Sequence, residues 1–344
     1  MGKPDPKTYL RTSLAAAMQI KLAPGRFLRN AAPPCVNLLQ DLDGGCRASC
    51  GYCGLSRDRD REEGDTFIRV KWPRADEATL ARLIEASRDR VRRVCIATII
   101  HRQAVAELMR QLDWLSKIDI PLSALVSSLQ VDRDSAREMR ERGAQIIGLG
   151  MDAASAGVME KTRSGALGRW ETHWKALEAA VEVFGGANVN AHIVVGLGET
   201  DDELVDTAAR LYDMGARCFL FSFCPEPGTR MAGHRKPPIE RWRRLQFVTY
   251  LLENNIIEKR QVRFDEHGAL RGLELEREEA EKIVRSGAAF QTDGCPDRAG
   301  KLACTRPFGS YRAGEPFRDY PFPPTEEDLA DIREQLDLGT LLNR

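Results

Sequence analysis

A parallel α/β barrel, complete or partial with about six to eight strands, is the fold this sequence predicts, on three observations. From residue 35 to about residue 265, short apolar runs alternate with longer helix-period segments, the pattern of repeated βα units. The runs are rich in Val, Ile and Leu without strict alternation, as parallel strands buried on both faces require. Helix punctuation falls between the runs: Thr200 with Glu203 makes a capping box, and Gly143 and Gly215 stand where left-handed C′ residues belong. An open doubly wound sheet is the alternative that the same alternation allows.

Taken in order, residues 1–30 read as a helical extension, because "LAAAMQIKLA" is amphipathic. Gln19 and Lys21 interrupt that run and no cleavage-like site follows, so it does not read as an export signal, and a cytoplasmic location is expected. Residues 31–290 are expected to form the barrel. Its strands are "CVNLLQ", "RRVCIATII", "PLSALVSS", "QIIGLG", "NVNAHIVVGLG" and "ARCFLFSF", with "QVRFD" and "AAFQT" as candidates for a seventh and an eighth. The intervening helices are Ala75–Asp89, His101–Lys117, Asp132–Arg142, Arg169–Phe184 and Asp201–Met214. Residues 291–344 form a loop and a final helix, with Thr325 as N-cap and Leu329, Ile332 and Leu336 on one face.

Composition narrows the function. Lys plus Arg equals Asp plus Glu at 51 each, and the charges are interspersed, so nucleic acid is not an expected partner. No apolar run approaches the roughly 20 residues of a membrane span. The nine cysteines are an odd number in a long chain with no export signal, which argues against a disulfide scaffold and for metal-ligating thiolates.

Three of them, Cys46, Cys50 and Cys53, lie in "GGCRASCGYCGL", directly after the first strand. On a barrel that is the first βα loop at the catalytic face. The flanking glycines let the backbone turn around a bulky inorganic centre, and spacings of three and two residues suit three corners of a cubane. The fourth iron is then open to another ligand. A zinc site completed by His101, His192, Cys95 or Cys295 is the alternative.

The C-x3-C-x2-C spacing, with Tyr52 before the third cysteine, resembles the radical S-adenosylmethionine (SAM) superfamily. That resemblance implies that Cys46, Cys50 and Cys53 hold a 4Fe–4S cluster whose open iron is chelated by SAM. One-electron cleavage of SAM would then give a radical that abstracts hydrogen. "HIVVGLGETDDE" resembles the fifth-strand segment that lines the SAM site, at Gly196, Gly198 and Glu199. "IGLGMDAAS" resembles the fourth-strand segment of the biotin synthase branch, which gives Asp152 to the SAM ribose; a helix N-cap is the plainer role for Asp152. "FSFCPEPGT" resembles the sixth-strand segment near the adenine. Tyr52 and Arg169 complete the expected SAM contacts, with Arg163 a further candidate for a carboxylate partner.

Cys35, Cys295 and Cys304 lie at the first strand and in a late polar loop, which a closed barrel brings together, so a second, auxiliary 4Fe–4S cluster is expected there. Cys95, Cys218 and Cys224 sit in or beside apolar runs and read as small core residues. True biotin synthase activity does not carry over: Cys95 and Arg263 match that enzyme's cluster ligands, but Ala124 and Asn190 replace its other two cysteines. "QTDGCPD…CTRPF…YRAGEPF…YPFP" resembles a component of the two-protein type of lipoyl synthase. The resemblance implies sulfur insertion at C6 or C8 of an octanoyl chain on a lipoyl-carrier protein, with a second radical SAM enzyme and a ferredoxin- or flavodoxin-type electron donor as partners. "GSYR" faintly echoes the serine ligand motif of ordinary lipoyl synthase at Ser310. The alternatives are a mutase or lyase with one cluster, resembling biotin synthase or methylornithine synthase, and a non-catalytic iron–sulfur or zinc protein.

Overall fold

Eight strands form one sheet: β1 (Tyr9–Thr12), β2 (Cys35–Gln40), β3 (Arg74–Asp76), β4 (Arg93–Ala97), β5 (Leu122–Val126), β6 (Ala144–Asp152), β7 (Val189–Val195) and β8 (Arg217–Ser222). The structure is a computed structural model that describes residues 3–62, 66–163, 167–305 and 316–342. Strand order is β3-β1-β2-β4-β5-β6-β7-β8, and the six strands from β2 to β8 are parallel. They are the six apolar runs read from the sequence.

The helices between and around the strands are α1 (Leu14–Gln19), α2 (Glu77–Glu85), α3 (Ala104–Leu115), α4 (Arg133–Glu141), α5 (Ala156–Thr162), α6 (Trp170–Phe184), α7 (Asp201–Asp213) and α8 (Ile239–Glu253); α1 to α4, α6 and α7 fall within the expected segments, whereas α5 and α8 lie outside them. The capping box at Thr200 is formed, with Oγ1 accepting from Glu203 N at 3.1 Å and Glu203 Oε2 accepting from Thr200 N at 3.0 Å. Gly143 and Gly215 take positive φ, which only glycine adopts without strain.

Alternation along each parallel strand sorts the sheet into two faces. Val36, Leu38, Val94, Ile96, Ala124, Ile147, Leu149, Ala191 and Ile193 join the main core under the helices. The alternate residues Cys35, Cys95, Ile146, Phe219 and Phe221 form a separate cluster on the concave side. Cys35 on β2 and Phe219 on β8 are five strand spacings apart, about 24 Å in a flat sheet. Their membership of one cluster, through Ile146 and a late loop, requires the sheet to curl into a partial barrel with a lumen.

Three features depart from the sequence reading. Residues 1–30 supply a strand as well as the helix α1: β1 pairs antiparallel with β2 and β3, burying Leu10 and Thr12. "QVRFD" gives β9 (Val262–Phe264), but among the described residues it pairs only with β10 (Leu270–Leu273), in a separate hairpin. The Asp265–Gly268 turn folds the chain back at once, with Asp265 Oδ1 accepting from His267 N and Ala269 N. "AAFQT" is a single 3-10 turn followed by one bridge from Gln291 to Tyr320. Gly287, in the left-handed region, ends α9 (Arg277–Ser286) and leads directly into that turn. Among the described residues, the sheet edges β3 and β8 are not paired with each other.

The C-terminal helix α10 (Glu326–Leu336) has Thr325 as its N-cap and buries Leu329, Ile332 and Leu336. It packs on α8 and α9. Among the described residues, no helix is long and apolar enough to cross a membrane.

Candidate functional site

The Cys46–Cys53 loop leaves the C-terminal end of β2 and is held by the loops at that end of its neighbours. Arg47 N donates to Ile100 O after β4 at 2.8 Å. Gly51 N donates to Thr162 O at the end of α5, and Met231 N beyond β8 donates to Gly51 O, each at 2.8 Å. Arg59, with a fully buried side chain, donates to Gly54 O at 2.9 Å and Pro227 O at 2.8 Å, and lies 3.7 Å from Glu226. Gly54 passes so close to Thr66 O that a Cβ would collide with it. Gly44 and Gly45 both have positive φ.

These restraints gather Cys46, Cys50 and Cys53 with Ala48, Tyr52, Ile100 and Leu167. Burial pushes the Cys53 thiol well up, and Cys50 and Cys46 add to it, so these thiolates form readily only against a cation. Tyr52 Oη donates to Asp152 Oδ2 at 2.6 Å, and burial, then the Asp152 charge, keeps the phenol protonated. Asp152 is the last residue of β6, at a register shift, with φ of 61°. The N-cap of α5 is Ser155, so Asp152 has no capping role there. Arg163 lies 3.7 Å from Asp152 and donates to Gly150 O at 2.9 Å; its buried Nε has no hydrogen-bond partner among the described residues.

The Gly196–Glu199 turn follows β7. Gly196 and Gly198 have φ of 104° and 115°. The Glu199 carboxylate closes its own turn, accepting from Gly196 N at 2.7 Å and Leu197 N at 2.9 Å, and Arg241 holds it at 2.9 Å. Arg169 is exposed at the N-cap of α6 and is not brought against the cysteine loop by any described contact.

At the opposite end of the strands, Cys295 and Cys304 are joined by a tight hairpin. Ala303 N and Cys304 N both donate to Cys295 O at 3.0 Å, and Asp297 Oδ1 accepts from Ala299 N and Lys301 N across the turn. A Cβ on Gly294 would collide with the Cys304 carbonyl. Arginines at the strand starts fasten this hairpin. Arg93 donates to Pro296 O at 2.5 Å, Arg92 to Asp297 at 3.4 Å, and Arg217 to Gly294 O at 3.2 Å. Cys35, Cys295 and Cys304 are all buried in one apolar cluster. The Cys35 thiol is pushed well up by its hydrogen bond with Cys304, then by burial and by the neighbouring Cys95 and Cys295. Asn37 Nδ2 donates to Cys35 Sγ at 3.7 Å and Asn190 Nδ2 to Cys295 Sγ at 3.9 Å.

Of the other cysteines, Cys218 is buried on the helix side of β8, as a core residue should be. Cys95 is not in that core; it lies on the lumen face with Cys35, Cys295 and Cys304. Ser310 lies outside the described residues. Among those residues, no three His, Cys, Asp or Glu side chains converge as a site for a metal ion. Sequence reasoning missed Arg59, Glu226 and Arg241, whose roles depend on distant partners.

Several solved structures share this architecture. Methylornithine synthase (PylB) aligns with a TM-score of 0.50 and 13% identity over 96% of this chain and 88% of its own. The FeFe-hydrogenase maturase HydG from Carboxydothermus hydrogenoformans aligns at 0.50 and 12% over 70% of this chain and 56% of its own. Another HydG structure gives 0.49 and 14% over 63% and 49%. The chain thus spans about half the length of these maturases. At such identities the likeness is one of fold. No curated protein matches the chain. Residues 43–211, from the cysteine loop through most of α7, match the family described as the Radical SAM superfamily, so this part of the chain is a radical SAM domain.

Proposed function

We propose that this radical SAM enzyme inserts sulfur into an unactivated C–H bond, as one step of lipoyl formation on a protein-bound octanoyl chain. The observation that carries the reading is the pairing of two cysteine sites at opposite ends of one lumen: Cys46, Cys50 and Cys53 beyond the strand C-termini, and Cys35, Cys295 and Cys304 at the strand starts. Between them, β2 spans six residues, about 17 Å of lumen.

The donor chemistry suits iron–sulfur clusters, which span several irons and take cysteine thiolates that are grouped without converging on a single ion. The family match implies a 4Fe–4S cluster and SAM at the first site, where three neighbouring thiols share a cluster that holds no fourth cysteine among the described residues. At the second site, buried thiols face two amide donors, and Asn190 Oδ1 has no hydrogen-bond partner among the described residues, as at a cavity built for a polar group. When bound, the first centre with SAM supplies a hydrogen-abstracting radical and the second supplies sulfur.

The remaining work falls to the chain. In this reading Tyr52, Asp152 and the turn of Gly196, Gly198 and Glu199 form the SAM side of the lumen. A neutral Tyr52 phenol fixes the Asp152 carboxylate for hydroxyl donors such as a ribose. Leu39, Leu125, Phe219 and Phe221 share the lumen face by register and offer an apolar lining for an acyl chain, and Gly150 leaves space beside them. Holding the reacting carbon between two fixed centres, with water displaced, is the barrel's contribution to rate. The octanoylated carrier protein, a second radical SAM enzyme and a ferredoxin- or flavodoxin-type donor are the partners this chemistry requires.

The test is mass spectrometry of an octanoyl-lysyl peptide after anaerobic incubation with SAM and dithionite. A gain of one sulfur is expected. SAM cleavage without sulfur gain, from a protein holding about four irons, would contradict the proposal and favour a one-cluster mutase or lyase.

A further inference from the structure

We infer that Cys95 is the fourth thiolate of the second site, so that Cys35, Cys95, Cys295 and Cys304 form a four-cysteine cluster site with no iron left open. This deepens the proposed function and rests on its reading of a second cluster.

Placement carries the argument. Cys95 is the middle residue of β4, opposite Asn37 on β2 and Ser123 on β5. Its neighbours Val94 and Ile96 are buried under the helices, whereas Cys95 turns to the lumen and joins Cys35, Cys295, Cys304, Ile146, Phe219 and Phe221. The other three cysteines are at most 8% exposed, whereas Cys95 is only partly buried. A cysteine serving as a small core residue would share the burial of Val94 and Ile96.

The other two cysteines do not compete. Cys218 is on the helix side of β8, and Cys224 follows the C-terminal end of that strand, away from the hairpin. Cys95 also lies two residues further along its strand than Arg93, the register partner of Cys35. That difference places it about 6.6 Å deeper into the lumen. Among the four, Cys95 is the ligand nearest to where a substrate carbon must lie, and the Asn37 and Asn190 amides orient Cys35 and Cys295 behind it.

The experiment uses the full chain carrying Cys46→Ala, Cys50→Ala and Cys53→Ala, reconstituted anaerobically with iron and sulfide. This background is expected to hold about four irons per chain and to give no three-iron EPR signal after mild ferricyanide oxidation. Adding Cys95→Ala is expected either to empty the site or to make one iron labile, so that the three-iron signal appears on oxidation. Cys95→Ser, which keeps volume and an oxygen ligand, is expected to retain iron with an altered spectrum. Cys218→Ala is expected to change nothing. An iron-loaded background whose iron content and oxidation behaviour are indifferent to Cys95→Ala overturns the assignment alone. An iron-free background overturns the second-cluster reading and this assignment with it.

Discussion

Gly54 and Gly294 each stand where a methyl group has no room, one beside each cysteine site. Gly54→Ala must displace the Thr66 carbonyl or the buried Arg59, so it is expected to abolish SAM cleavage while iron at the hairpin site remains. Gly294→Ala must part Cys295 from Cys304, and the expected outcome is loss of about half the iron with 5′-deoxyadenosine formation retained. Iron analysis alongside the SAM-cleavage assay separates the two. His173 is a different kind of residue: fully buried, it bonds Ser128 Oγ and Leu167 O, and burial pulls its pKa to about 4. Above about pH 6.5 both folded and unfolded chains carry it neutral, so it adds no pH dependence. As pH falls from there toward about 4, the unfolded state takes a proton that the fold refuses, and stability declines. Urea midpoints at about pH 7 and about pH 5 should show a drop that His173→Gln reduces.

Local chemistry made several elements legible. The Thr200 capping box, the positive-φ glycines after α4 and α7, and the Thr325 cap are written in three or four adjacent residues, and each is present. Thr200→Ala should cost about 1 kcal/mol, read as a lower urea midpoint at unchanged slope. The elements that were not legible depend on remote partners. β1 is four residues long, and nothing in "YLRT" announces that β2 and β3 will flank it. "QVRFD" has a strand's composition, but its fate is decided by the turn that follows and by the separate hairpin this builds. The hairpin holding Cys295 and Cys304 could be read only as a cysteine-bearing loop, because its registration rests on Arg92, Arg93 and Arg217 at the strand starts.

At the scale of the whole molecule, the curl of the parallel sheet turns sequence distance into proximity. It brings β2, β4 and β8 around one lumen and sets the late hairpin against the first parallel strand. The cysteine triplet was legible because its spacing is local. The second group was legible in part, since barrel topology anticipates that Cys35 approaches the C-terminal loop. Cys95 read as core because a strand's period cannot say which face becomes the lumen until the neighbouring register is known. The central claim is that two clusters occupy the ends of this lumen, and iron analysis of anaerobically reconstituted protein tests it most directly. About eight irons per chain are expected, falling to about four in the Cys295→Ala, Cys304→Ala variant with SAM cleavage intact. About four irons in the unmodified chain, unchanged in that variant, would contradict it.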